Sequence, residues 1–195
     1  MSEDLPTQHQ LTDRYDEALT YASELHRAQA RKGTTIPYLS HLVGVSGLVL
    51  EAGGTEDEAI AGLLHDALED QGDKTSFEEI AARFGDRVAE IVRACSDTEV
   101  VPKPPWKERK AAYIEHLRKT EPDVLRVSLA DKLHNLRSLL VDLAGHGPSY
   151  LERFSASPEQ QVWYFNGLSE VFNERIPGAH ATELAASVKR LRASI

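Results

Sequence analysis

The segment Gly62-Leu-Leu-His-Asp-Ala-Leu-Glu-Asp70 concentrates four side chains that can bind a metal ion or move a proton. Residues four positions apart share one face of a helix, so helical structure pairs His65 with Glu69. It pairs Asp66 with Asp70 in the same way. Carboxylates and imidazoles on a buried helix are costly unless a cation or a charged substrate compensates them. The segment therefore predicts a metal site or a site for a charged substrate.

Two other apolar segments carry side chains of the same types. His41 lies in Tyr38-Leu-Ser-His-Leu-Val-Gly44, and Asn135 follows Asp131 by one turn in a long leucine-rich stretch. Two imidazoles and two carboxylates suit a divalent ion such as Mn²⁺, Fe²⁺ or Zn²⁺, and they leave a coordination position for water. The predicted ligand set is His41, His65, Asp66 and Asp131.

Each predicted ligand also has a structural interpretation. His41 alone is compatible with a hydrogen-bonded core histidine, and Asp131 alone could form an ion pair with Lys132. His65 and Asp66 point about 100° apart on an ideal helix, so both bind one ion only if the ion lies between them. The conjunction of all four residues, with two further carboxylates one turn on, favours the metal site, because polar clusters on apolar helix faces need a compensating partner.

Apolar residues recur with a helical period along almost the whole chain, and capping residues and breakers delimit the helices. We predict an all-α fold, a single compact domain over residues 1–195 with its motif-bearing core at about 11–145 and C-terminal helices at about 158–193. In the first half of the chain, the predicted elements are a helix ending near Lys32-Gly33, a second from Pro37 to Gly53-Gly54, a third capped by Thr55 and Glu58 that carries the His-Asp pair, a fourth opened by Ser76 and a fifth from about Asp86 to Ser96. An extended connection is predicted at Val101–Trp106. It is followed by a helix to about Lys119, a long helix from Pro122 to about Ala144, a surface loop from Gly145 to Ser157, and helices after Pro158 and Pro177-Gly178.

Charge and composition exclude several classes of protein. The chain has 22 Lys and Arg against 31 Asp and Glu, a net charge of −9, so DNA and RNA polymers are not expected partners. The single cysteine, Cys95, cannot form an intramolecular disulfide and indicates a reducing compartment. The longest apolar run, Leu42 to Leu50, is too short to span a bilayer. These features predict a cytoplasmic protein with no membrane association. They leave the oligomeric state open, and a homo-oligomer is compatible with them.

Several motifs together resemble a known family, the HD-domain hydrolases of the RelA/SpoT type. The motifs are His26-x-x-Gln29-x-Arg31-Lys32-Gly33, Pro37-Tyr38-x-x-His41, Leu64-His65-Asp66-x-x-Glu69-Asp70, Phe84-Gly85 and Leu129-Ala-Asp131-Lys-x-x-Asn135-x-Arg137. They run from about residue 15 to residue 140, and their order and spacing are far more specific than the His-Asp pair alone. The chain is most similar to the stand-alone members, the small alarmone hydrolases, since no room for a synthetase domain is expected after residue 195.

The resemblance implies roles for individual residues. It implies one Mn²⁺ ion on His41, His65, Asp66 and Asp131, and a catalytic pair formed by Glu69 and Asp70. It also implies that the Arg31 guanidinium packs on the substrate base with the Lys32 ammonium near it, that Asn135 contacts ribose or base, and that Arg109 and Lys110 lie near the 5′-phosphates. Independently of the resemblance, the aromatic run at residues 163–165 favours core positions, with Tyr164 as a candidate border of the base pocket. One departure is Leu42, since the family usually has proline after the first metal histidine.

The implied activity is metal-dependent removal of the 3′-pyrophosphate of guanosine alarmones, converting ppGpp or pppGpp to GDP or GTP plus pyrophosphate, as in the stringent response. An HD phosphohydrolase acting on another small nucleotide is the main alternative, with pppApp or the 2′-phosphate of NADPH as substrate. A non-enzymatic metal- or nucleotide-sensing module is a third possibility. Degenerate domains of that kind would be expected to lose a ligand or a catalytic carboxylate, and all six residues are present here.

Overall fold

The computed structural model describes residues 10–96 and 104–195, and in these two ranges the fold is all-α, as predicted. Its one β-type contact there is an isolated bridge between Ala30 and Pro37. The helices are α1 Asp13–Leu25, α2 Leu39–Glu51, α3 Glu56–Leu64, α4 Ala67–Asp70, α5 Phe77–Phe84, α6 Asp86–Cys95, α7 Trp106–Leu117, α8 Pro122–His146, α9 Pro158–Arg175 and α10 Ala179–Ala193, with a 3-10 helix at Pro148–Arg153.

The chain divides into two compact units, Met1–Ser96 and Asp97–Ile195. Helices α1 to α6 belong to the first unit and α7 to α10 to the second. The single domain predicted for residues 1–195 stays a prediction. Of the extended connection predicted at Val101–Trp106, residues 101–103 lie outside the described residues, and its last residue, Trp106, instead begins α7. In the part of the chain that is described, no helix is both long and apolar enough to cross a bilayer.

Helix α3 is the centre of the first unit. It packs against α1, α2 and α6, and all but its first two residues are buried. Thr55 and Glu58 form the predicted capping box at its start, which satisfies backbone N–H groups that have no partner within the helix. The axes of α2 and α3 approach closely where Gly62 faces Ser46, since a Cβ atom at Gly62 would lie 3.1 Å from the Ser46 Cα atom. Glycine at this position therefore sets the spacing of the two helices that carry His41 and His65.

We expect Gly62→Ala to lower the free energy of unfolding by about 1–3 kcal/mol, because the added methyl group meets backbone atoms that cannot rotate away. Urea denaturation with a constant m-value measures the change. Gly47→Ala on α2 is the matched control, since a Cβ atom there has no neighbour within 4 Å and alanine favours helix. Equal stability of Gly62→Ala and wild type would contradict the close packing.

Helix α8 dominates the second unit, where it packs against α9 and α10. Pro122 occupies its first turn, as predicted. The helix continues through Gly145 and ends at His146, with Gly147 as its C-cap, whose φ of 75° favours glycine. The predicted surface loop after Gly145 is wrong in this part. The segment instead forms the 3-10 helix, which buries Tyr150 and Leu151.

The first helix ends earlier than its apolar period predicts. α1 stops at Leu25, with His26 as its C-cap, rather than near Lys32. The following residues form turns that are closed by the Ala30–Pro37 bridge and by a hydrogen bond from the Arg31 amide to the Ile36 carbonyl, 2.8 Å long. The same turns place the Tyr38 ring against His26, with ring centroids 5.4 Å apart. This packing competes with continuation of the helix. The spacing of apolar residues within α1 does not predict it, because the contact joins two residues in different segments.

Candidate functional site

The predicted helix through the His-Asp pair is interrupted at the pair itself. Helix α3 ends at Leu64, α4 begins at Ala67, and Asp66 between them has φ −99° and ψ 0°. A regular helix has ψ near −42°, so the chain turns at Asp66. The predicted single helical stripe for His65, Asp66 and the two later carboxylates is therefore wrong. The turn brings the Asp66 carboxylate to His65, with 3.0 Å between Oδ2 and Nε2.

Three predicted ligands converge at this turn. The His41 and His65 Nε2 atoms are 3.3 Å apart, and the Asp66 Oδ2 atom lies 3.0 Å from the second and 3.8 Å from the first. Ligand atoms about 2.1 Å from one ion that are 3.0–3.8 Å apart subtend angles of roughly 90–130° at the ion. Both imidazoles are buried, and 23% of the Asp66 side chain is exposed. The geometry therefore suits one metal ion with access from solvent.

The chemistry of the donor atoms also fits a cation. The His65 Nδ1 atom is 2.9 Å from the Gly62 carbonyl oxygen, which can only accept, so Nδ1 carries the proton. The Nε2 atom of His65 then presents its lone pair toward the carboxylate of Asp66. Fixing the outer nitrogen with a carbonyl is how proteins orient imidazole ligands. A lone pair and a carboxylate facing each other in a buried site repel unless a cation lies between them.

Tyr38 supports the Asp66 carboxylate. Its hydroxyl group donates a hydrogen bond to Asp66 Oδ2, 2.5 Å long, while its ring stacks on His26 and meets the edge of His41. The phenol is thereby held between two imidazoles. The sequence pattern predicts no role for Tyr38, although it stands three residues before His41 within a motif. Its spacing from Asp66, 28 residues along the chain, gives no local signal of this contact.

We expect Tyr38→Phe to weaken metal binding by about 10- to 100-fold, because it removes the donor that orients a ligand carboxylate. Titration calorimetry with Mn²⁺ measures the affinity directly. Tyr15→Phe is the matched control: its hydroxyl group hydrogen-bonds the Ser46 hydroxyl group at 2.8 Å and touches none of the three converging ligands. Equal Mn²⁺ affinities for the two variants would contradict the role of Tyr38.

The predicted catalytic carboxylates, Glu69 and Asp70, are adjacent on the short helix α4, and both are exposed to solvent. Partial desolvation raises the pKa of Asp70 above its usual value. A hydrogen bond from Gln29 opposes this shift, and the negative charges of Asp66 and Glu69 add to it. A carboxyl group with a raised pKa retains its proton closer to neutral pH, which is useful for general acid–base chemistry.

The two basic residues predicted to contact substrate from the first unit lie in the turns after α1. The Arg31 guanidinium carbon is 5.9 Å from the centre of the Tyr38 ring, a cation–π distance. Lys32, which follows it, is exposed. Through Tyr38, Arg31 is therefore connected to the Asp66 carboxylate. The contacts of both residues with a substrate stay a prediction.

The fourth predicted ligand, Asp131, is buried in the second unit. Its Oδ2 atom accepts from the Lys132 ammonium and its Oδ1 atom from the Asn135 amide, both at 2.5 Å. Burial lowers the pKa of Lys132, but the charge of Asp131, its hydrogen bond and the nearby Tyr113 and Tyr164 together raise this pKa well above its usual value. The ion pair that was the structural alternative is present. The Asn135 amide orients Asp131, whereas the ribose or base contact of Asn135 stays a prediction.

The other predicted substrate residues occupy α7 and α9 of the second unit. The Arg109 guanidinium donates to the Pro104 carbonyl at 3.1 Å, and the Lys110 ammonium lies 5.1 Å from the centre of the Tyr164 ring. Tyr164 is buried and packs edge-on against Trp106. The structure thus brings Lys110 and Tyr164 together, and Tyr164 belongs to the packed core of this unit.

Comparison with known proteins relates the chain to one family and to named relatives. A family model described as HD domain matches residues 18–149. Guanosine-3′,5′-bis(diphosphate) 3′-pyrophosphohydrolase MESH1 of Xenopus tropicalis is 41% identical over 126 residues, which is 63% of this chain and 68% of that protein. The human protein of the same name is 38% identical over 128 residues, 63% of this chain and 68% of the relative. A guanosine-3′,5′-bis(diphosphate) 3′-pyrophosphohydrolase of Aquifex aeolicus is 37% identical over 130 residues, 64% of this chain and 17% of the relative.

Solved structures give the same relationship. The chain is similar to a structure described as a metazoan ortholog of SpoT that hydrolyzes ppGpp and plays a role in starvation responses. The TM-score is 0.73 and the sequence identity 32%, over 95% of this chain and 99% of that one. A crystal structure from Listeria monocytogenes matches with a TM-score of 0.68 at 33% identity, over 76% of this chain and 96% of the other.

Proposed function

The chain belongs to the HD domain family, and on that premise we propose that it is a metal-dependent hydrolase of the 3′-pyrophosphate of guanosine alarmones. The reaction converts ppGpp or pppGpp to GDP or GTP plus pyrophosphate. The observation that carries the proposal is the convergence of His41, His65 and Asp66 beside a helix that bears two adjacent carboxylates. The relatives named for this activity support the substrate class.

We propose one Mn²⁺ ion as the cofactor, with Asp131 as the fourth protein ligand. Two imidazoles and two carboxylates also suit Fe²⁺ or Zn²⁺. A divalent ion held there lowers the pKa of a bound water and offsets charge on the phosphoryl oxygens. The protein contributes the orientation of the ligands: Gly62 fixes the His65 ring, Tyr38 fixes the Asp66 carboxylate, and Asn135 fixes the Asp131 carboxylate.

The carboxylates of α4 carry the proton transfers in the proposed mechanism. Hydrolysis forms a bond from water oxygen to the proximal 3′-phosphorus and breaks the bond from that phosphorus to ribose O3′. One proton leaves the water and one reaches O3′, so the reaction needs a base and an acid. We assign the acid to Asp70, whose pKa is raised, and the base to Glu69, which precedes it on α4.

Cationic side chains supply the contacts to the substrate phosphates and base. Arg31 already lies at cation–π distance from an aromatic ring, and its planar guanidinium can stack on a base while donating hydrogen bonds. For Lys32, Arg109, Lys110 and Asn135 we propose the substrate roles that the family resemblance implies, and for Tyr164 a place at the border of the base pocket. The buried Cys95 fits a reducing compartment, and we propose a cytoplasmic location and a part in the stringent response.

Product analysis of the purified protein tests the proposed function. The protein is incubated with ppGpp, pppApp or NADPH, each with Mn²⁺ and after chelation, and the products are separated by anion exchange. We expect pyrophosphate and GDP from ppGpp in the presence of metal only. Orthophosphate from NADPH, or turnover of pppApp alone, would keep the metal site and replace the substrate. Absence of turnover with metal bound would contradict an enzymatic function and favour a sensing module.

A further inference from the structure

A chain of hydrogen bonds in the first unit ends on the proposed acid, Asp70. The Lys74 ammonium donates to Gln71 Oε1 at 2.5 Å, and the Gln71 amide donates to Gln29 Oε1 at 2.7 Å. The Gln29 amide in turn donates to Asp70 Oδ2 at 2.7 Å. His26 joins the chain through its Nδ1 atom, 2.7 Å from Gln29 Oε1. The cationic end of the chain is thus linked to a carboxylate through two neutral amides.

The direction of every hydrogen bond in this chain follows from its first member. An ammonium group can only donate, so the oxygen of the Gln71 amide must face Lys74. The nitrogen of Gln71 must then face Gln29 and present a donor. This leaves the Gln29 oxygen as the acceptor and turns the Gln29 nitrogen toward Asp70. Flipping either amide would set two donors or two acceptors against each other and leave these groups without hydrogen bonds.

His26 reinforces the same orientation from the other side. Because Gln29 Oε1 accepts from Gln71, the His26 Nδ1 atom that contacts this oxygen must carry a proton. Burial lowers the pKa of His26, which keeps the ring neutral and leaves Nε2 unprotonated. Consistent with this tautomer, Nε2 is buried and meets no hydrogen-bond partner within residues 10–96 and 104–195. Two donors therefore hold the Gln29 oxygen.

We propose that Gln29 is a positioning residue that fixes the rotamer of Asp70 and determines which of its carboxylate oxygens serves the reaction. The N–H group of Gln29 occupies Oδ2, so a proton on this carboxyl group lies on Oδ1. Helix α4 has only four residues, and a short helix gives its last side chain little support. Gln29 supplies that support from the turns after α1. This inference rests on the proposed function, because it assigns Asp70 to the chemistry.

Gln29→Met tests the positioning role, since methionine is close in size but cannot donate. We expect kcat for ppGpp to fall about 10- to 100-fold, with KM and the bound-metal stoichiometry within about twofold of wild type. Lys74→Met should also lower kcat. The Lys74 ammonium hydrogen-bonds Gln71 and the Leu25 carbonyl and reaches Asp70 only through Gln71 and Gln29. Lys119→Met is the matched control, because the side chain of this lysine is 76% exposed and forms a surface ion pair with Glu115, far along the chain from Asp70.

A double-mutant cycle separates positioning from a general loss of structure. The effect of Gln29→Met on kcat should disappear when Asp70 is already replaced by Asn, because the two residues act as a unit. Independent losses that add in the double variant would overturn the proposal, as would an unchanged kcat in Gln29→Met. Wild-type turnover of ppGpp is measured first, so failure of the proposed function is recognised separately.

Nitrogen NMR of His26 tests the hydrogen-bond direction without any enzymatic assay. In the wild-type protein the His26 ring should carry its proton on Nδ1, which the direction of the chain requires. A ring protonated on Nε2 would mean that the Gln29 amide is turned the other way, and this result would overturn the proposal whatever the activity. Thermal unfolding of each variant confirms that the comparison is made between folded proteins.

Discussion

Replacement of Asp66 by alanine should abolish stoichiometric metal binding and lower ppGpp hydrolysis by more than about 10³-fold. Asp66 contributes a carboxylate oxygen that lies 3.0 Å from His65 Nε2 and 3.8 Å from His41 Nε2. Without it, the cluster of His41, His65 and Asp66 loses its anionic ligand, and two imidazoles alone hold a divalent cation far less tightly. The loss of the ion then removes activation of water and charge compensation on phosphate together.

The measurement pairs elemental analysis of bound metal with the rate of pyrophosphate release. Asp57→Ala is the matched control, since Asp57 lies in the same unit and pairs with Arg14 at 2.7 Å on the surface. It should retain metal and activity, because an exposed ion pair contributes little to stability. Full activity with stoichiometric metal in Asp66→Ala would refute the assignment of this ligand. Supplying excess Mn²⁺ distinguishes weakened binding from loss of the site.

The helical content of the chain could be predicted because it depends on local patterns. Capping at Thr55 and Ser76, and proline in the first turn of α8, are properties of a few neighbouring residues, and the structure has all three. The early end of α1 at Leu25 and the continuation of α8 by two residues, to His146, were not predicted. The end of α1 depends on packing between His26 and Tyr38. The end of α8 depends on the 3-10 helix that follows it, which buries Tyr150 and Leu151.

The identity of the candidate ligands could be predicted, but the way the chain presents them could not. In an uninterrupted helix, the His65 and Asp66 side chains point about 100° apart, so they bind one ion together only if the ion lies between them. The break between α3 and α4 removes that difficulty by turning the backbone at Asp66. The break is stabilised by contacts from elsewhere in the unit, among them the hydrogen bond from Tyr38. No spacing within the segment encodes those contacts.

The supporting residues were missed for a related reason. Gln29 and Tyr38 both stand in the quoted motifs, but amide and phenol groups are common in helical proteins and have no intrinsic preference for a metal site. Their importance comes from partners 41 and 28 residues away along the chain, Asp70 and Asp66. The direction of the Gln29 amide depends further on Lys74, three hydrogen bonds from the carboxylate. Such information exists only once the turns after α1 have folded onto α4.

Replacement of Asp70 by asparagine should leave metal binding intact and lower kcat by about 10²–10⁴-fold, the usual contribution of a general acid or base. Asparagine has the same shape, and the Gln29 amide can still donate to its oxygen, so positioning is preserved while the exchangeable carboxyl proton is lost. If Asp70 is the acid, wild-type kcat falls as pH rises through the Asp70 pKa in the complex. The Asp70→Asn variant should lack this fall.

Glu69→Gln on the same helix supplies the comparison that assigns the two roles. Because a base takes up the proton of the water, the Glu69→Gln variant should lower kcat while retaining the decline in kcat toward high pH that belongs to Asp70. The opposite pattern would exchange the roles of Glu69 and Asp70 without altering the metal site. Bound metal in both variants, measured as for Asp66→Ala, is essential to this interpretation. If either variant loses its ion, that carboxylate acts on the metal site, and its assignment to proton transfer is wrong.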